Sequence, residues 1–489
     1  MSVARRVLLV GLLAGCAQSG RVTPDRIATA TPVVAIDAGS LSGGIDPSSG
    51  VLVFRGIPYA AAPVGDRRWR GPAPVPAWTG VRAATRPGAN CMQAQIYSDI
   101  DPFVAGVSED CLNLNVWTAN VGDGPGRPVM VWIHGGGYTA GFGDEGRHDG
   151  ARLARKGAVV VTLNYRLGVF GFLAHPALAA ESPLGASGNY GILDQVAALQ
   201  WVGRNIARFG GDPSRVTIFG ESAGGSSVGA LIASPLAKGL FHGAILQSGN
   251  ALGGMRAREG AYADGVRFAS LVGAGGTGSD AVARLRAIPA DSLLRATRPP
   301  DGKGGYGSAF ATRLVLDGSV LPLTVDSALA HGAANVVPII IGATGGEGDG
   351  AYASARSVAR LVSAQHARAY LYLFTRVGDD SVNQRRGAYH SADIPFTFGI
   401  PHPTLPGAGR AAYDSTLADA MSDYWVSFAT TGNPNGSPNA GRLPQWPLYD
   451  ASADAYLELG PKITARSAFR RSVYDSLDAM GRTRGEVRP

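Results

Sequence analysis

Residues 216–225 read VTIFGESAGG: a β-branched run stops at Gly220-Glu221-Ser222-Ala223-Gly224, and a small-residue segment with helical character follows. No other stretch constrains the fold as tightly, because a strand that turns at once into a helix leaves one residue in a strained backbone conformation. Its neighbours must then lack bulk, and Gly220 and Gly224 meet that demand. The turn lifts Ser222 clear of the chain, where a nearby base can activate its hydroxyl, and it points the first N–H groups of the helix at any charge that develops there. Among 69 glycines a G-x-S-x-G match is expected by chance about once, so the flanking strand and helix carry this reading.

Further apolar runs at Val129–Ile133, Ala158–Leu163 and Ala244–Leu246 lack the polar alternation of a half-exposed sheet and predict parallel strands covered on both faces. Pro338–Ile341 and Tyr370–Phe374 supply two more. Val33–Ile36 and Val51–Phe54 read as an opening antiparallel pair, and Leu112–Trp117 alternates like another strand. Residues 194–205, DQVAALQWVGRN, have the 3.6-residue apolar period of a helix. Together they predict an α/β class: a doubly wound, mostly parallel central sheet with helices on both faces. Residues 251–335, richer in helix-forming and polar segments, are expected to form a cap over the carboxyl edge of the sheet.

The chain has 489 residues, 45% of them hydrophobic, without a spacer or repeat, so residues 33–489 are read as one large domain with insertions. Its net charge of +7 comes from dispersed arginines rather than a basic stripe, which argues against a nucleic-acid partner. The opening differs. Arg5 and Arg6 precede an apolar run, Val7–Leu13, and then Leu13-Ala14-Gly15-Cys16. Residues 1–16 have the layout of an export signal; the run is too short for a membrane-spanning helix, which needs about 20 apolar residues. Leu-Ala-Gly-Cys is similar to a bacterial lipobox, which implies a lipidated Cys16, membrane attachment with outer-membrane sorting, and a tether at 17–32; periplasmic or simple secretion is the alternative. Cys91 and Cys111, 20 positions apart, are expected to bridge in an oxidising compartment.

At 128–138, PVMVWIHGGGY, a strand runs into three glycines whose bare N–H groups could face a developing oxyanion. Gly136 and Gly137, with Ala223, are the candidate donors, and the adjacent His134 is read as structural.

At this point the chain resembles the type-B carboxylesterase and cholinesterase family. SEDCLNLNV at 108–116 matches that family's second signature, and its first surrounds Ser222. YRLGVFGFL at 165–173, GNYGILDQVAALQWV at 188–202 and LFHGAILQSGN at 240–250 follow in the family's order, over about residues 33 to 460. The resemblance implies an α/β-hydrolase fold, ester hydrolysis without a metal or other cofactor, a small-molecule ester as substrate, and a triad in the order serine, acid, histidine. IIIGATGGEGDG at 339–350 is similar to the acid turn and points to Glu347, with Asp349 as runner-up. GAYHSADIPFTFG at 387–399 resembles the histidine motif, which selects His390 among eight histidines and puts Asp393 where an acidic residue is usual. The same scaffold also serves catalytically silent adhesion or binding proteins, and the same site serves amidases and lactonases.

The chain departs from the pattern in one interval. Glu347 and His390 are only 43 positions apart (390 − 347), where the family carries several more helices. One helix, Ala355–Gln365, is predicted between them, and the cap is expected to be reduced and the pocket shallower. The Cys91–Cys111 loop holds Tyr97 and Phe103 but no tryptophan, which disfavours choline esters.

Overall fold

Alternate residues of the central strands go to opposite sides. Val129, Val131 and Ile133 pack into one apolar cluster, whereas Met130 and Trp132 between them pack into another. Both clusters are buried, and this two-sided cover is why the strands read as unbroken apolar runs. The computed structural model describes residues 31–122, 126–249, 252, 254–298, 310, 312–378, 384–385, 387–400, 415–436 and 442–479. The predicted export signal with Cys16, and the tether up to residue 30, lie outside the described residues.

Among the described residues the central sheet has eleven strands: β1 Gly44–Ile45, β2 Leu52–Pro58, β3 Asn113–Thr118, β4 Arg127–Ile133, β5 Val159–Leu163, β6 Gly211–Glu221, β7 Gly243–Gln247, β8 Ile339–Thr344, β9 Ala369–Phe374, β10 Ala455–Leu459 and β11 Thr464–Ser467. Their order is β11-β10-β9-β8-β7-β6-β4-β5-β3-β2-β1. From β10 to β5 every pairing is parallel, and antiparallel strands close both edges. Helices α1 Tyr190–Asn205, α2 Ala223–Ala233 and α3 Asp349–Ala364 cover one face through Val196, Leu199, Val228, Leu231 and Val358. Helices α4 Ile394–Phe398 and α5 Ser415–Thr431 cover the other through Phe398, Met421, Trp425 and Phe428. A further helix, α6 Arg471–Ala479, packs Tyr474 against Tyr352 of α3.

Three local expectations are corrected. Val33–Ile36 does not pair with Val51–Phe54; it folds back on Gly39–Ser42, with Ile36 opposite Gly39, in a separate three-stranded sheet. A two-residue turn brings that partner into reach at once, and β2 is free to join β3 in the main sheet. Helix α1 begins four residues before the expected Asp194. Helix α3 begins at Asp349, six residues before the expected Ala355, although Gly350 in its first turn costs about 1 kcal/mol of helix propensity. Contacts from far along the chain offset that cost, since Asp349 receives Arg470 and the Tyr474 hydroxyl.

Within 251–335 the described helices Arg258–Leu271, Ser279–Ala287 and Ala290–Ala296 set Phe268, Leu285 and Leu293 against Trp69, Phe170 and Leu178.

Candidate active site

Strand β6 delivers Glu221 and Ser222 to the carboxyl edge of the sheet. Ser222 has φ 58° and ψ −122°, a conformation that costs a non-glycine residue about 1–3 kcal/mol, and its N–H donates to the Gln247 carbonyl at 2.9 Å. The glycines are required sterically. A Cβ on Gly220 would stand 2.6 Å from the Ile133 carbonyl oxygen, and one on Gly224 would stand 2.0 Å from the same atom. Helix α2 crosses the end of β4 so closely that only hydrogen fits.

Three segments far apart in sequence meet here. His390 Nε2 is 2.8 Å from Ser222 Oγ, and its Nδ1 is bonded to Glu347 Oε1. The other oxygen of Glu347 accepts from Ser248 Oγ at 2.6 Å and from the Thr344 N–H at 2.8 Å. Burial pushes the Glu347 carboxyl up, but the hydrogen bond and charge of His390 outweigh this and hold it below the ordinary range. Burial alone would lower the pKa of His390; the bond to Glu347 and the charge of Glu221 raise it to about 9 instead. Asp349, the runner-up acid, turns to Arg470 and Tyr474 and does not join this group.

Sequence reasoning gave no role to Glu221 or Ser248. Glu221 is buried; its Oε1 lies 3.2 Å from His390 Nε2 and accepts from Ser391 Oγ at 2.9 Å. Burial pushes its carboxyl up to about 8, against the pull of His390. The available signal was a charged residue placed between the apolar run Val216–Phe219 and Ser222. Asp393 is also buried, and it accepts from Gln247 Nε2 at 3.0 Å and the Tyr372 hydroxyl at 2.8 Å.

The glycine loop turns beside Ser222. Gly136 (φ 96°) and Gly137 (φ 61°) have left-handed backbones, and the Gly136 carbonyl accepts from the N–H groups of Thr139 and Ala140. His134 is buried and its ring stacks on Tyr165 at 4.4 Å; burial lowers its pKa to about 4, so the ring is neutral and braces the loop. Gly136, Gly137, Ser222 and His390 line one pocket of about 390 Å³, and Ala223 follows Ser222 as the first residue of α2. Among the described residues, none from 251–335 lines that pocket. The side chain of His390 remains 48% exposed. Cys91 and Cys111 are bridged, and the loop between them supplies Tyr97 and Asp99 to the pocket wall.

The sequence profile of the carboxylesterase family matches residues 30–358 and 350–476. The chain belongs to the carboxylesterase family. Its two matched stretches overlap at 350–358, just past Glu347. This carboxylesterase is 37% identical to the fumonisin B1 esterase of Sphingopyxis macrogoltabida, over 86% of this chain and 87% of the relative. It is 35% identical to the para-nitrobenzyl esterase of Bacillus subtilis, over 85% of this chain and 92% of the relative. A solved carboxylesterase of Geobacillus stearothermophilus superposes with a TM-score of 0.75 at 35% identity, covering 90% of this chain and 99% of that one. The fold is therefore the α/β-hydrolase fold of serine carboxylesterases, and the substrates are small-molecule esters.

Proposed function

We propose that Ser222, His390 and Glu347 hydrolyse carboxylic esters through an acyl-enzyme. The observation that carries this reading is the unbroken hydrogen-bonded line from Ser222 Oγ through both ring nitrogens of His390 to Glu347. His390 takes the Ser222 proton as the oxygen attacks the ester carbonyl, while Glu347 orients the ring and stabilises its charged form. The N–H groups of Gly136, Gly137 and Ala223 receive the oxyanion. His390 then protonates the departing alcohol, and water repeats the sequence on the acyl group.

Export belongs to the same reading, supported by the charged-then-apolar opening and by the Cys91–Cys111 bridge, a bond that persists in oxidising compartments. Lipidation of Cys16 would then hold the enzyme at a membrane.

A fluorophosphonate probe and a short-chain p-nitrophenyl ester test the mechanism together. The wild type is expected to be labelled at Ser222, and Ser222→Ala to lose labelling and about 10⁴-fold or more in kcat with an unchanged circular dichroism spectrum. A Ser222→Ala variant that keeps its activity would overturn the assignment.

A further inference from the structure

The pocket has a polar wall that the hydrolytic steps do not use. Arg147 lines it, and its Nε is held at 2.8 Å by Glu145, a carboxylate 1% exposed behind it. Its Nη1 is held at 3.1 Å by Asp99, whose side chain is 34% exposed on the rim. Among the described residues the guanidinium bonds through Nε and Nη1, which leaves the two N–H groups of Nη2 for a ligand. Asp99 accepts one such bond and keeps further lone pairs at the rim. The result is a braced donor beside a partly exposed acceptor. Tyr97 lines the same pocket, 41% exposed, with its hydroxyl 3.1 Å from where a Cβ on Gly137 would sit.

The position of Arg147 says which half of an ester would meet it. Arg147 and Glu221 line the same pocket, and Glu221 is 3.2 Å from His390 Nε2. The leaving alcohol must also face that nitrogen to be protonated. Placed there, the alcohol meets the Arg147 wall of the same pocket.

Charge decides what kind of alcohol it is. Asp99 and Glu145 already pair the one guanidinium, and Asp99 stands on the rim, so an alcohol bearing a carboxylate would meet a carboxylate at close range. A plain alkyl chain would strip water from Asp99 and Nη2 without replacing their hydrogen bonds, a loss of about 1–3 kcal/mol per group. Neighbouring hydroxyls of a neutral polyol satisfy both, donating to Asp99 and accepting from Nη2, while a sugar ring offers an apolar face to Tyr97.

We propose that Arg147, Asp99 and Tyr97 form an alcohol-side subsite for esters of neutral polyols, sugar esters above all. This rests on the hydrolase reading above. In the reaction, the acyl C–O bond breaks, the polyol oxygen takes the proton that His390 removed from Ser222, and water releases the acid.

Three acetates of primary alcohols test it: methyl 6-O-acetyl-glucoside, n-hexyl acetate and the anionic 4-acetoxybutanoate. The acyl group and the class of leaving oxygen are the same in all three. For the wild type, kcat/KM for the sugar acetate is expected to exceed that for hexyl acetate at least tenfold, with the anionic ester slowest. Asp99→Ala and Arg147→Met are each expected to lower the sugar-to-hexyl ratio at least tenfold. Arg147→Met leaves Glu145 buried and unpaired, so Asp99→Ala, on the rim, carries the test if the arginine variant does not fold. Hexyl acetate turned over as fast as the sugar acetate, a ratio that neither variant moves, or preference for the anionic ester overturns the subsite and leaves the hydrolase reading standing. Failure of the wild type to cleave any of the three overturns both.

Discussion

The two halves of the candidate site are held in different ways. Ser222 is fixed by backbone against backbone: β6 ends, the chain turns at φ 58°, and α2 passes so near β4 that Gly220 and Gly224 leave no space for a methyl group. Glu347 and His390 sit on loops, positioned by side-chain hydrogen bonds from Ser248, Thr344 and Ser222. Behind Glu347 stands α3, which begins two residues later and is clasped to the carboxyl-terminal segment. The buried Arg356 of α3 reaches Asp454 at 2.9 Å, Asp475 at 2.5 Å and Asp478 at 3.0 Å. Tyr352, Phe469 and Tyr474 pack between the same two segments. The acid arm is held by ionic contacts and aromatic packing between α3 and the segment that carries α6. Sterics at one end tolerate no change, whereas a network of contacts at the other can lose a member and weaken by degrees.

Gly224→Ala breaks the rigid end. The new methyl carbon would lie 2.0 Å from the Ile133 carbonyl oxygen, a backbone atom of the central sheet that cannot move alone. The expected outcome is loss of soluble folded protein, or of all phosphonate labelling in what remains. Soluble Gly224→Ala with wild-type kcat would show that the elbow is less constrained than its contacts imply.

Arg356→Met attacks the networked end. It leaves Asp454, 2% exposed, without its cation, and breaking a buried pair in this way costs about 3–5 kcal/mol. The more exposed Asp475 adds little. Urea denaturation is expected to show that loss, while kcat at low temperature stays within about tenfold of the wild type, because the bonds that hold Glu347 are untouched. A large fall in kcat without loss of stability would mean that the clasp positions the acid directly.

The same difference explains what was legible in the chain. Val129–Ile133 and Val216–Phe219 could be read as strands because burial on both faces makes every position apolar, and Ser222 because its turn demands glycines two residues away on each side. Glu347 and His390 came from the motifs around them. The clasp was illegible: Arg356 and Asp454 are 98 residues apart, and nothing local to either marks it as paired. The start of α3 was missed for the same reason, since Asp349 is held by Arg470 and Tyr474. The pairing of Val33–Ile36 depended on a two-residue turn at Asp37 and Ala38, which the apolar pattern of the flanking strands does not mark. Glu221 was in plain view within the motif, but its approach to His390 is a product of the turn.

Glu221→Gln tests the place where the two ends touch, and its expected effect is the smallest. Glu221 belongs to the rigid strand, yet its charge helps raise the pKa of His390. The free base is the active form of His390, so kcat/KM rises with pH as the ring loses its proton. Replacing the carboxyl by an amide removes an anion that favours the charged ring. The pKa of His390 must then fall, and the acid limb of the kcat/KM profile is expected to move to lower pH. On that limb a shift of one unit changes the rate about tenfold at fixed pH. Glu347 still holds Nδ1, so the plateau is expected to change far less. A limb that stays in place would mean that Glu221 is already protonated while His390 titrates. Its role would then reduce to the hydrogen bond with Ser391, and the two ends of the site would be electrostatically independent.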